Sequence, residues 1–413
     1  MNLTTKTNRI ELVDALRGFA ILCIVVLHNM ERFEFNYSLQ DLPLWVKDLD
    51  KKVMFSAYFL FGGKAYAIFA LLFGFSFYVQ NNNQQVQGKD YRLRFLWRMF
   101  LLLIFGFINT AFYQGDILTL YAIFGLILIP TCNLSSRTIF IIAIILMAQP
   151  VEIGRAIYAL ANPAFVPSPN LSNAYYKDIT AYMLNGNFFD YVIGNVTLGK
   201  TASLLWSWEN GRFMQAPALF LLGFLAGRKK LFVIDEVTLK FWKKVLIYSL
   251  IIFIPLFLLF TYLPDMFTRA AILNPLKVTI LSWANFAFML FLVAAFILLF
   301  QKSTYNKLLS HLVPFGKMGL TNYILQSMVG STLYYKYGFS LYKYTGAFYC
   351  IFIGILLFYI NLQFCKWWLK THRQGPLEYM WYKATWFSFN KNNVTNFNKI
   401  TSPTTNNDAI KTI

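Results

Sequence analysis

The chain has 413 residues and a formal net charge of +19 at pH 7. Charged residues make up 13 % of it and hydrophobic residues 57 %. A soluble domain has about 25 % charged residues, so this composition excludes an ordinary soluble protein. The basic residues lie in short clusters between apolar runs, as the positive-inside rule describes, which argues against nucleic-acid binding. The four cysteines have no paired spacing and predict neither a disulfide framework nor a metal site.

The apolar runs predict an all-α, polytopic membrane protein with about ten transmembrane helices and both termini in the cytoplasm. Four basic stretches, 89–98, 228–244, 302–317 and 366–383, all fall on one side in this topology. The predicted spans are residues 13–30, 56–79, 95–112, 116–130, 138–150, 213–227, 245–263, 278–300, 313–334 and 346–365.

Residues 1–385 are expected to form a single transmembrane domain. Within it, residues 151–210 are weakly hydrophobic and predict an external segment with amphipathic helices. A Gly-Pro pair followed by the Trp-rich, basic stretch LEYMWYKATW predicts a helix along the inner interface. Residues 386–413 are rich in Asn and Thr and predict a disordered cytoplasmic tail.

Residues 13–30 read VDALRGFAILCIVVLHNM, an apolar run with three titratable side chains. At 100° per residue, Arg17 and His28 lie within roughly 20° of each other, and Asp14 lies about 40° from His28. Ionisable groups inside a span are costly and are functional candidates by default. Arg17 is suited to bind a phosphate-bearing donor from the inside. The alternative is that Asp14 and Arg17, at i and i+3, neutralise each other and His28 is structural.

His28 is the strongest catalytic candidate, because a neutral imidazole can accept a proton near neutral pH. Asp116 begins the fourth span at the outer surface, where the topology allows it to meet His28 and orient the imidazole. An alternative role for Asp116 is to cap the helix that follows.

Three further polar residues interrupt apolar runs. Lys64 is a candidate for pairing with a carboxylate, for binding an anionic substrate group, or for reaching the outer interface as a snorkelling side chain. Asn322 and Gln326, four residues apart on one face of the ninth span, are candidates for a substrate path. Intramembrane amides also commonly bond neighbouring helices.

Five motifs, in order along almost the whole chain, carry a family resemblance. They read VDALRGFAILCIVVLH, FGGKAYAIFALLFGFSF, QGDILTLYAIFGLILIP, FGKMGLTNYILQSMV and QGPLEYMWYKATW. The chain resembles the YeiB-like bacterial membrane proteins, whose C-terminal half is domain of unknown function 418. That group looks like a relative of the transmembrane acyltransferases, among them acyltransferase family 3 and the heparan glucosaminide acetyltransferases. The resemblance implies a multi-pass protein of the bacterial inner membrane.

One departure from the resemblance is informative. YeiB-like sequences commonly carry asparagine fourteen residues after the Asp of the DxxRG motif, whereas this chain carries His28, as acyltransferase family 3 does. The resemblance therefore implies an acyltransferase that uses cytoplasmic acyl-CoA as donor, has no tightly bound cofactor, and has His28 as general base. The competing hypotheses are a transporter for a small or lipidic solute, lined by Lys64, Asn322 and Gln326, and a non-enzymatic membrane component. Membrane lipids are expected partners, and the acceptor and the oligomeric state stay open.

Overall fold

The computed structural model describes residues 4–35, 37 and 43–387, with side chains from residue 11 onward. Within these ranges the secondary structure is helical throughout and contains no strand. This confirms the predicted all-α class. All but the first two of the residues predicted to form a disordered tail, 386–413, lie outside the described residues.

The helices are numbered here in chain order. The first nine are α1 (Thr4–Met30), α2 (Leu44–Phe61), α3 (Ala65–Val86), α4 (Arg92–Thr110), α5 (Leu118–Thr131, with one 3-10 turn), α6 (Ser136–Met147), α7 (Pro150–Ala161), α8 (Leu171–Asn185) and α9 (Phe188–Gly194). The last nine are α10 (Lys200–Glu209), α11 (Arg212–Arg228), α12 (Glu236–Met266), α13 (Ala270–Phe300), α14 (Ser303–Leu309), α15 (Val313–Lys317), α16 (Gly319–Tyr334), α17 (Ala347–Trp368) and α18 (Pro376–Thr385).

Among the described residues, five helical stretches are long and apolar enough to cross a membrane, or six if the bent pair α6–α7 counts as one span. The five are Leu44–Val86, Arg92–Thr110, Glu236–Met266, Ala270–Phe300 and Ala347–Trp368. This makes the chain a multi-pass membrane protein, with fewer such stretches than the ten predicted spans. Part of the difference is length, because α11 has 17 residues and α16 has 16, and spanning a bilayer takes about 20.

Two predicted spans are interrupted in the structure. The predicted span 56–79 contains the end of α2, a turn and most of α3, and the turn has Gly63 in the left-handed conformation with φ +73°. The predicted span 313–334 is divided into α15 and α16 at Met318. Each break places polar backbone groups within an otherwise apolar run. The hydrophobic periodicity of the sequence does not reveal where such a break occurs.

Helix α1 packs against α3, α15, α16 and α17 and lies inside the bundle. Its contact with α15 is very close, because a Cβ atom added at Gly316 would clash with the backbone carbonyl of Asp14. Helices α3 and α11 meet in the same way, where Gly223 lies against the carbonyl of Leu71. Small residues at helix crossings are the usual means by which membrane helices approach closely. These contacts fix α1, and therefore its polar side chains, relative to the rest of the bundle.

The predicted external segment 151–210 contains helices α7 to α10. Gln149, in the left-handed conformation at φ 59°, ends α6, and α7 starts at Pro150 with a bend of 45°. Helix α8 packs on α10 and on the π-helical turn Asn195–Gly199. The segment thereby brings α8 and α10 over the ends of α4 and α5.

Helix α18 closes the opposite end of the bundle. Glu378 on this helix accepts hydrogen bonds from the backbone N–H groups of Leu320 and Thr321 at 2.6 and 3.0 Å, and from the Thr321 hydroxyl at 2.6 Å. Its carboxylate therefore satisfies the free N–H groups at the start of α16. The Arg98 guanidinium of α4 stacks 3.7 Å from the Trp381 ring. Helix α18 thus joins α4 and α16.

Glu378→Gln is expected to lower the free energy of unfolding by about 1–2 kcal/mol, because an amide oxygen accepts less strongly than a carboxylate at a helix N-terminus. Thermal unfolding in detergent measures this loss. Asp178→Asn, at an exposed carboxylate, removes the same charge as a control and is expected to have no effect. Equal unfolding temperatures for Glu378→Gln and the wild type would contradict the capping role.

Candidate functional site

His28 lies at the end of α1, where the chain turns. Its ring packs against Tyr113 with a centroid distance of 4.8 Å and against Phe33 at 5.6 Å. The Nδ1 atom of His28 is buried and has no hydrogen-bond partner. The imidazole is thus held by two aromatic rings while one of its nitrogens stays without a protein partner.

The turn that follows α1 is strained. Arg32, Phe33 and Glu34 have φ values of 50°, 55° and 62°, so three successive non-glycine residues are left-handed. Such residues cost about 1–3 kcal/mol each and persist only where the surroundings hold them. Here the Phe33 N–H donates to the His28 carbonyl at 2.7 Å, and the Tyr335 hydroxyl donates to the Phe33 carbonyl. Strained backbone of this kind clusters at functional sites.

Two carboxyl groups emerge from this turn. Glu34 Oε1 accepts from the Tyr113 hydroxyl at 3.3 Å, and Glu34 Oε2 is buried without a partner. Glu31 accepts a hydrogen bond from the Tyr58 hydroxyl. Burial, followed by repulsion from Glu31, raises the pKa of Glu34 to about 8, and burial raises the pKa of Glu31 to about 7. The pair therefore holds at least one proton near neutral pH.

Stability between pH 5 and 8 is expected to fall as pH rises, because the folded state keeps a proton on Glu34 that the unfolded state, with a pKa near 4.5, releases. The slope from one carboxyl is at most about 1.4 kcal/mol per pH unit. Thermal unfolding in detergent at a series of pH values measures it. Glu34→Gln is expected to flatten the profile, and an unchanged profile would contradict the raised pKa.

Three buried amide oxygens without partners belong to Asn109 and Gln114, on either side of Tyr113 in the sequence, and to Asn195, which bonds to Ala111. Asn109 and Asn195 are both 0 % exposed, and the Oδ1 atom of each lacks a donor. Their nitrogens are used, since Asn109 donates to Asp116 at 3.0 Å and Asn195 to the Ala111 carbonyl at 3.2 Å. The oxygen of Gln114, which is 1 % exposed, also has no donor. Buried polar atoms are normally satisfied, so this donor-poor cluster calls for water or a ligand.

Asp116 is fully buried and does not contact His28. Its carboxylate accepts from Thr119 Oγ1 at 2.7 Å and from the backbone N–H of Thr119 at 2.9 Å. It also pairs with Lys200 of α10 at 3.4 Å. The hydrogen bond predicted between His28 and Asp116 does not form, because Lys200 and the start of α5 occupy the carboxylate. The capping alternative agrees with the Leu118 and Thr119 N–H contacts.

Asp14 and Arg17 form the ion pair that their spacing suggests, with Nη1 and Oδ1 2.6 Å apart. Arg17 also donates from Nη2 to the Ser76 hydroxyl of α3 at 3.2 Å. The Arg17 side chain keeps 23 % of its surface exposed. The pair thus lies in the middle of α1, near the start of the predicted span 13–30, and the guanidinium is not wholly enclosed.

Lys64 is 6 % exposed and its Nζ atom donates to the Tyr58 carbonyl at 3.3 Å. The ammonium lies 5.7 Å from the centroid of the Phe288 ring. The snorkelling alternative for Lys64 is therefore wrong in this structure, because its head group is buried. The hydrogen bond from Tyr58 to Glu31 connects the Lys64 region to the turn after α1.

Asn322 and Gln326 have different environments although they share a helix face. Asn322 donates to the Phe315 carbonyl at 2.9 Å and to Cys365 Sγ at 3.3 Å, so it joins α15, α16 and α17. Gln326 is 2 % exposed, and neither its oxygen nor its nitrogen has a partner. Of the two, only Gln326 has amide atoms available to a bound molecule.

Sequence reasoning missed several residues of this region: Glu31, Glu34, Tyr113, Asn195 and Lys200. The missed residues that lie in connections between helices are outside the apolar runs. Polar residues are common in such connections and give no signal there. Lys200 offered one signal, as a lysine within a weakly apolar segment. The left-handed turn gave no signal, because it contains no glycine.

The fold and the polar region define an all-helical, multi-pass membrane protein with a partly enclosed polar site. A model described as heparan-alpha-glucosaminide N-acetyltransferase, catalytic, matches residues 9–233, and one described as protein of unknown function (DUF418) matches residues 226–388. The chain belongs to the YeiB-like, DUF418 family of acyltransferase-like membrane proteins. Asp14, Arg17, His28 and Asp116 all fall within the first match.

Three relatives from bacteria match over nearly their whole length. Uncharacterized protein YxaH of Bacillus subtilis is 26 % identical, covering 94 % of this chain and 96 % of its own. Uncharacterized protein YeiB of Escherichia coli is 25 % identical, covering 90 % and 95 %. An uncharacterized 39.9 kDa protein of Bacillus acidopullulyticus is also 25 % identical, covering 92 % and 94 %. No solved structure matches the chain.

Proposed function

We propose that the protein is a membrane acyltransferase that moves an acyl group from cytoplasmic acyl-CoA to a hydroxyl or amine acceptor. His28 is the general base that takes the acceptor proton as the acyl carbon is attacked, and the thiol of coenzyme A is the leaving group. The similarity of residues 9–233 to an N-acetyltransferase catalytic model supports the reaction class.

The observation that carries the proposal is the unpartnered Nδ1 of His28 among other unpaired buried polar atoms. A general base must be able to reach the proton it abstracts, and a nitrogen already bonded to protein could not. The Phe33 and Tyr113 rings and the strained turn hold the imidazole in one orientation. Orientation by aromatic packing replaces the carboxylate that was expected from Asp116.

The acceptor in this proposal is rich in O–H or N–H groups. The unpaired atoms of Gln114, Asn109 and Asn195 are all amide oxygens, and these three residues are at most 1 % exposed. A site with surplus acceptors is best matched by a molecule that donates. Gln326 can contribute both an acceptor and donors.

The donor in this proposal enters near Arg17, at the start of the predicted span 13–30. Eleven residues separate Arg17 from His28, about 16 Å along the axis, so a long pantetheine arm is needed between a phosphate near Arg17 and a thioester near His28. The exposed part of the Arg17 side chain supports phosphate contact, and Asp14 fixes its position. Asp116 and Lys64 have positioning roles, through Lys200 and Tyr58 respectively.

This function assumes ten spans with both termini in the cytoplasm, in the inner membrane of a bacterium. The basic stretches at 228–244 and 366–383 support that orientation through the positive-inside rule. Counting the bent pair α6–α7 as one span, and adding α1 and the shorter helices α5, α11 and α16 to the five long stretches, brings the number of crossings to the predicted ten.

The experiment that tests the function compares lipids and glycans from cells with the wild-type protein, without it, and with a His28→Ala variant. We expect an acylated product in the first sample alone, identified by its added acyl mass. If all three profiles agree, while the wild-type protein and the His28→Ala variant are present in the membrane at equal levels, the acyltransferase proposal fails.

The transporter hypothesis has less support from the geometry. This hypothesis has Lys64, Asn322 and Gln326 line the path of the solute. The Asn322 amide bonds to neighbouring protein groups and the Lys64 ammonium donates to a backbone carbonyl. Only Gln326, among these three, has polar atoms without a partner. Counterflow of a candidate solute in proteoliposomes without acyl-CoA would favour transport.

A further inference from the structure

A basic pocket lies at the end of the bundle that carries Arg17 and is separate from the site around His28. It has a volume of about 380 Å³. Two segments form it, namely the end of α15 and the connection from α17 to α18. Its lining is Lys317, Leu369, Lys370, Thr371, His372 and Arg373.

The pocket concentrates cationic groups and has no carboxylate in its lining. Among the described residues, no ion pair involves Lys317, Lys370 or Arg373. The Asp14 carboxylate of α1 is near enough to Lys317 for their charges to interact, although its ion pair is with Arg17. Glu378 caps α16. The basic groups of the pocket thus outnumber the carboxylates that act on them.

The walls of the pocket are fixed. The His372 ring stacks on Trp368 with a centroid distance of 4.0 Å and an interplanar angle of 12°. Its Nδ1 contacts the Thr371 hydroxyl at 2.8 Å, and the Trp368 indole N–H donates to the Gln374 carbonyl at 3.0 Å. Lys317 follows Gly316, whose close contact with α1 holds the end of α15 in place. His372 and the end of α15 are therefore held in place, whereas Lys370 and Arg373 are exposed side chains at the rim.

We propose that this pocket binds the phosphate group of a ligand at the membrane surface. Trp367, which is 63 % exposed, belongs to the same helix end, as expected for the interfacial level where lipid phosphates lie. Basic pockets between helices on the cytoplasmic side are typical sites for anionic lipid headgroups. A phosphate of coenzyme A offers the same chemistry, and both sources are tested. Binding of a lipid phosphate would be independent of acyl transfer, whereas binding of coenzyme A rests on the proposed function.

The test uses the purified full chain and two probes, phosphatidylglycerol in detergent and coenzyme A. Retained lipid is counted by native mass spectrometry, and coenzyme A binding is titrated by calorimetry. We expect the Lys317→Gln, Lys370→Gln, Arg373→Gln triple variant to bind phosphatidylglycerol or coenzyme A about 100-fold more weakly, at roughly tenfold or less per charge. The probe whose binding falls identifies the source of the phosphate.

The control is a triple variant of exposed basic residues on another loop of the same predicted side, Lys229→Gln, Lys230→Gln and Lys240→Gln. It removes the same charge and is expected to keep wild-type binding. Equal binding by both triple variants and the wild type would overturn the proposal, and so would an equal loss in both. If the pocket triple fails to fold, the single Lys370→Gln variant, at an exposed position, gives the same comparison with a loss of up to about tenfold.

Discussion

His28→Ala is expected to lower acyl transfer by about 10²- to 10⁴-fold, because a positioned general base typically supplies that much of the rate. The imidazole nitrogen without a partner, Nδ1, is the feature that makes this residue competent. The measurement is the rate of acyl transfer from acyl-CoA in proteoliposomes, at equal amounts of folded protein, with the acceptor identified by the cell profiles.

Two further variants sharpen this experiment. His28→Asn places at this position the residue common in YeiB-like sequences, keeps most of the side-chain volume, and is expected to lose the same activity. His311→Ala, at an exposed histidine, is expected to retain full activity. If His28→Asn transferred the acyl group at the wild-type rate, the imidazole would have no role in the chemistry.

Asp116→Ala is expected to lower the free energy of unfolding by about 3–5 kcal/mol, the usual cost of leaving a buried charge without its partner. The change would leave the Lys200 ammonium, whose side chain is 8 % exposed, without its ion-pair partner. It would also remove the acceptor of the Asn109 amide and the Thr119 hydroxyl. The folded yield and the thermal unfolding temperature in detergent measure the loss.

The ion pair itself is tested by a second change. Adding Lys200→Met to Asp116→Ala is expected to recover part of the stability, because the uncompensated cation is removed. Asp48→Ala serves as control, since that carboxylate lies 4.0 Å from Lys51 on the surface and such pairs contribute little. Wild-type stability of Asp116→Ala combined with lost acyl transfer would instead favour a direct role for Asp116 in catalysis.

The polar residues of α1 show which contacts can be predicted from spacing along one helix and which cannot. Asp14 and Arg17 are one helical turn apart, so their ion pair follows from the periodicity of the helix and is observed. The contact between His28 and Asp116 depended on how two separate helices are arranged. Lys200, 84 residues further along the chain, takes that carboxylate instead.

Amino-acid composition and periodicity by themselves determined that this is an all-helical, multi-pass membrane protein, because apolar runs must be helical to satisfy their backbone in lipid. They also identified α1 as the helix with the polar face. Only the tertiary structure decided which groups contact His28 and the turn after it, since Tyr113 and Tyr335 come from parts of the chain distant in sequence. The left-handed turn after α1 was likewise decided by packing, because contacts distant in sequence hold residues there that would otherwise avoid that conformation.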